Sequence, residues 1–106
     1  MKLTEPVVLT TSAQTLYTVP DYCKITTIKE LIVCNVSTSS TVTLYYVPAD
    51  GTASNSNAVM KTTAISGNVT SILTLNSDLE AGDSIQALAG HNDKLVVHLS
   101  GEEKIW

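Results

Sequence analysis

The chain contains no arginine and no phenylalanine, and each absence narrows what it can be. Its 106 residues carry six basic side chains, all lysine, against ten acidic ones, for a formal net charge of −4. A nucleic-acid-binding surface needs a basic face to neutralise phosphates, so no nucleic-acid partner is expected. Charged residues make up only 15% and hydrophobic residues 43%, the reverse of the balance that keeps a chain disordered. No apolar run approaches the ~20 residues of a membrane span. The opening MKLTEPVVLTTSAQ lacks the apolar stretch of a secretory signal, so no membrane partner is expected and synthesis in a cytoplasm is. The two cysteines, Cys23 and Cys34, allow one disulfide that spacing alone does not decide, and a reducing compartment disfavours it. Cys34, in the run LIVCNV, reads as a buried small hydrophobe. Asn35-Val36-Ser37 and Asn68-Val69-Thr70 match the glycosylation pattern, which carries no meaning without a secretory route.

What the chain has in quantity is serine and threonine, about a quarter of all residues, interleaved with valine, leucine and isoleucine as strands require. Alternation and turn signals recur along its whole length, which predicts strands over residues 7–10, 15–19, 24–36, 41–47, 59–65, 69–75, 84–89 and 94–100. No helix is expected. The strand over 24–36 places Ile28, Ile32, Cys34 and Val36 on one side and Leu31 and Val33 on the other. That pattern implies burial on both faces and a central position, and the strand's length invites a bulge between Lys29 and Leu31. The polar turn Ser37-Thr38-Ser39-Ser40 suggests a hairpin joining this strand to 41–47, and Gly90 to Asp93 suggests another. Residues 49–57 form the longest polar loop. About eight short antiparallel strands in one chain of this length make an all-β, two-sheet sandwich of the jelly-roll kind, a single domain over 1–106.

Chemistry-bearing groups do not converge in the sequence. His91 falls in a loop and His98 on a strand with Lys94 and Val96, short of the three or four ligands a metal needs. Asn76, Asp78, Glu80 and Asp83 cluster around Gly82, yet the spacing misses a calcium loop. They read instead as a turn in which Gly82 supplies a positive φ and Asp83 caps the next strand. No GxSxG, GxGxxG or GxxxxGK motif occurs, and adjacent Glu102 and Glu103 would face opposite ways on a strand. An enzyme, a metal and a cofactor are therefore not expected. Tyr45 and Tyr46 are consecutive, so one should be core and one exposed; the exposed one, with the loop from Asp50 to Asn57, could contact a sugar. Residues 101–106 read as a docking tail. Ile105 and Trp106 either cap their own sandwich or anchor on a neighbouring subunit, as exposed aromatics do, with Tyr45 a further interface candidate.

The order of motifs resembles a known family. VLTTSAQTLYTVP over 8–20 is followed by IVCN over 32–35, TVTLYYVP over 41–48 and LEAGDSIQA over 79–87. Together these resemble the small β-sandwich structural proteins of tailed-bacteriophage virions, of the capsid-decoration and tail-accessory kind. Pro20-Asp21-Tyr22-Cys23 departs from the family's usual turn, as does the Trp-ended tail. The resemblance implies a non-enzymatic assembly component, made in the host cytoplasm and residing in the virion. It would act as a homo-oligomer, such as a trimer, against the major capsid protein or tail proteins. Decoration or cementing of the capsid is the leading expectation. A tail, collar or fibre-base component is the alternative, and a carbohydrate-binding module that contacts host sugars is a third.

Overall fold

The computed structural model describes residues 1–105, and in it the alternating runs become eight strands: β1 (Val7–Val8), β2 (Gln14–Thr18), β3 (Cys23–Asn35), β4 (Ser40–Val47), β5 (Ala58–Ile65), β6 (Thr70–Glu80), β7 (Ser84–Ala89) and β8 (Leu95–Ile105). Among the described residues the single helical element is one 3-10 turn, Asn55–Asn57, in the loop after β4. The strands form two antiparallel four-stranded sheets, in the orders β1-β8-β3-β6 and β2-β7-β4-β5. Two interlocked Greek keys produce this order, which makes the sandwich a jelly roll. β3 is central, as its apolar run implied.

The core lies between the sheets. Ile28, Leu31, Val33, Val97 and Leu99 from the first meet Val42, Leu44 and Ile85 from the second, all essentially without solvent exposure. Leu95, Val97 and Leu99 alternate inward as period-two patterning requires. In β3 the alternation changes phase. Its ladders to β6 and β8 both slip between Ile28 and Glu30: against β8 Lys29 is the extra residue of a bulge, while against β6 the extra residue lies on β6, between Thr74 and Ser77. Ile28 points inward before it and Leu31 after it. Ile32 and Cys34 therefore face out, half-buried, and the expected burial of β3 on both faces is corrected to burial on one. Opposite the bulge, Asn76 adopts a φ of 47°, and β6 continues to Glu80 rather than stopping at Leu75.

The two expected hairpins do not form. β3 and β4 belong to different sheets, as do β7 and β8; β4 and β5 are consecutive strands that do pair. The buried Asn35 side chain explains the first correction. Its Nδ2 donates to Thr38 O (2.9 Å) and Ile65 O (3.1 Å), and its Oδ1 accepts from Ser37 N (2.9 Å). Those bonds satisfy the backbone while the chain crosses from the first sheet to the second, which a two-strand turn would not do.

Residues 101–105, expected as a tail, instead complete β8 and pair with β3 from Ile28↔Gly101 to Cys23↔Ile105. The N-terminal segment flanks them: Met1 N donates to Gly101 O at 2.8 Å, Gly101 N to Met1 O at 2.9 Å and Leu3 N to Leu99 O at 3.0 Å. Cys23 and Cys34 are both free. They occupy the first and penultimate positions of β3, about 35 Å apart at the usual strand rise, far beyond disulfide reach.

Candidate functional site

The end of the sandwich where β8 finishes holds a polar cluster. The ladder sets Glu103 beside Thr26 on β3, and Tyr17 reaches across from β2 in the other sheet. The Tyr17 hydroxyl donates to Glu103 Oε2 at 2.5 Å, which leaves Thr26 Oγ1 to donate to Tyr17 Oη at 3.0 Å. Burial, reinforced by the hydrogen bond to Glu103, raises the Tyr17 pKa well above its ordinary 10.0. Burial also pushes up the Cys23 thiol, with the Glu103 charge adding to it, so Cys23 is no ready nucleophile. The cluster ties the two sheets together at their polar end.

The three interface candidates are not brought together. Ile105 closes β8 on the first sheet and is 63% exposed. Tyr45 is on β4 of the second sheet, only 9% exposed, on a strand against which the Asn55–Asn57 turn packs. Trp106 lies outside the described residues. Tyr46 faces inward and packs on the core. Its hydroxyl is enclosed beside Ser77, and among the described residues no partner reaches full hydrogen-bond geometry. Burial raises its pKa. Tyr45 is buried and Tyr46 half-buried, so the exposed ring expected of one of them is not found.

The histidines stay apart: His91 Nδ1 lies 3.1 Å from Ser40 Oγ at a loop, while His98 is exposed on β8. Among the described residues no three His, Cys, Asp or Glu side chains converge as metal ligands. At the acidic turn, Gly82 has a φ of 90°. Asp83 Oδ2 accepts from Glu80 N (3.0 Å), and its Oδ1 accepts from Ala49 N (3.0 Å). The carboxylate is thus occupied in capping the turn, as its position implied. A cleft of about 330 Å³ bounded by Lys24, Ile25, Glu80 and Ala81 falls at the small end of ligand-site volumes, and one of about 160 Å³ beside Tyr46 and Pro48 falls below them. Among the described residues no helix is long and apolar enough to cross a membrane.

One surface feature was missed. The bulge at Lys29 turns Ile32 and Cys34 outward, beside Val8, Val96 and Ile72 on the neighbouring strands. The apolar run of β3 was the available signal. Taken as a sign of burial on both faces, it concealed an apolar outer surface. Comparison with protein-family models, curated proteins and solved structures finds no match to this chain.

Proposed function

We propose that the chain is a non-enzymatic structural component of a tailed-phage virion that decorates or cements the capsid. The observation that carries this reading is the ordered set of motifs resembling such proteins; one of the four, IVCN, ends β3 in the first sheet. VLTTSAQTLYTVP supplies β2, TVTLYYVP supplies β4 and LEAGDSIQA leads into β7, and these three strands are neighbours in the second sheet. In this reading the sandwich is the scaffold, and the loops and outer faces are left to make contacts. A rigid sandwich that binds only assembled subunits stabilises the shell by mass action. Its partners would be the major capsid protein or tail proteins, together with further copies of itself.

The test is stoichiometry on the particle. Quantitative mass spectrometry of virions from the phage that encodes the chain should find it at a number of copies comparable to the major capsid protein. A handful of copies per particle would sink capsid decoration in favour of a tail or collar location, and absence from purified particles would sink the virion reading altogether.

A further inference from the structure

The two halves of β8 are held by different forces. Leu95, Val97 and Leu99 point into the core, none more than 1% exposed. On the side away from β3, β1 pairs with Val96 and Val97, Lys2 bridges to Ser100, and Met1 and Gly101 exchange two hydrogen bonds. That support ends at Gly101. Among the described residues, Glu102 to Ile105 pair with β3 alone. No apolar side chain among these four enters the core: Ile105 is 63% exposed, and Glu102 and Lys104 also face solvent. The ion pair from Lys29 to Glu102, 3.8 Å long and exposed, adds little. On the core side this end is fixed by Glu103, which accepts the Tyr17 hydroxyl at 2.5 Å, and Tyr17 in turn meets Thr26 at 3.0 Å. An O–H···O⁻ contact of that length is among the strong hydrogen bonds.

We propose that residues 102–105 form a strap that opens as a unit from Gly101 onward, and that the Tyr17–Glu103 bond across the two sheets is its latch. The strap covers Cys23. That thiol has no solvent exposure, lies against Glu103 and Thr26, and has Ile105 as its ladder partner. Opening therefore uncovers Cys23 while residues 95–99 stay packed in the core. Proteins open locally in cooperative segments, and the segments with few buried apolar contacts open first. In β8 those contacts end at Leu99. A cysteine buried in this way is inert, and the same thiol reacts once it reaches water. Cys34, half-buried on the outer face, needs no such opening, so the strap sets the two thiols apart by access. This behaviour is set by the fold and does not depend on the virion reading.

Cys34→Ser leaves Cys23 as the chain's one thiol. An aromatic disulfide reagent then counts its exposure: the thiolate attacks one reagent sulfur, a mixed disulfide forms, and the displaced aryl thiolate is read by absorbance. In this background Cys23 should be labelled faster than global unfolding allows. The rate should hardly change with urea below the unfolding transition, because so short an opening exposes little surface. Tyr17→Phe removes the latch hydroxyl and should speed labelling about tenfold or more. Val97→Ala opens a cavity under the other half of β8; it should lower the urea midpoint yet leave labelling below the transition unchanged. Labelling that carries the full urea slope of global unfolding overturns the proposal. So does a Tyr17→Phe rate equal to the parent's, or a Val97→Ala rate raised as much as that of Tyr17→Phe.

Discussion

Replacing Gly101 with alanine should destabilise the protein, although alanine is normally the better strand residue by about 0.5–1 kcal/mol. Gly101 lies within β8, and its backbone is outside the left-handed region, so conformational freedom is not what requires glycine there. Space is. A Cβ on Gly101 would sit 2.2 Å from the Thr27 carbonyl oxygen and 3.0 Å from Leu3 Cδ1. The carbonyl is held by the ladder beside the Lys29 bulge and has no side-chain rotation to yield. Relief requires β8 to back away from β3, which strains the paired bonds between Gly101 and Met1. Overpacking of this kind costs about 1–3 kcal/mol, and each weakened hydrogen bond about 1 kcal/mol. A net loss of about 3 kcal/mol lowers the melting midpoint by roughly 12–24 °C in a domain of this size. The stability available is roughly 5–15 kcal/mol, so the variant should still fold. Urea denaturation followed by circular dichroism measures the change. A variant as stable as the parent, or more stable, would refute the packing argument, because propensity alone predicts that sign.

Other substitutions probe the polar contacts. The raised Tyr17 pKa favours the protonated form in the folded state. Its contribution is therefore fully present below the ordinary value of 10.0 and lost as pH rises toward the higher folded value. Tyr17→Phe should flatten the fall in melting temperature above about pH 10, and parallel alkaline profiles for the two proteins would contradict this. Asn35→Ala strands the carbonyls of Thr38 and Ile65 and should cost about 2–4 kcal/mol in urea unfolding; a loss below about 1 kcal/mol would show that the crossover needs no anchor. Cys34, half-buried, should react with a thiol reagent well before the buried Cys23, and equal rates would count against their assigned positions.

The strands were legible because alternating Val, Leu and Ile against Ser and Thr report which residues face a core. Partner choice was not, because it depends on contacts between residues far apart in the chain. The turn at Ser37–Ser40 has hairpin chemistry, yet Asn35 donates to Ile65 on β5, and that contact sends the chain into the other sheet. The polar run Glu102-Glu103-Lys104 resembled a tail because no core residue marks it. It becomes strand because β3 extends that far and Tyr17 is there to bond Glu103. The cap at Asp83 and the glycine at 82 were readable, since turn chemistry is local. The outward turn of Ile32 and Cys34 was hidden by one bulged residue: the bulge itself was anticipated near Lys29, but not its effect of reversing which side of β3 meets solvent.

The interleaving of the sheets has a consequence for folding order. β8 lies between β1 and β3 in the first sheet, so a strand from late in the sequence fills a place between two early ones. Until residues 95–105 emerge, β3 lacks one of its two neighbours and β1 has none. Both sheets rely on pairings between distant segments, with β4 and β5 the pair of consecutive strands that join directly. Loop closure must therefore be largely complete before the ladders stabilise it, which places such a chain among the millisecond-to-second folders. The first sheet is complete only once residues 95–105 are in place between β1 and β3.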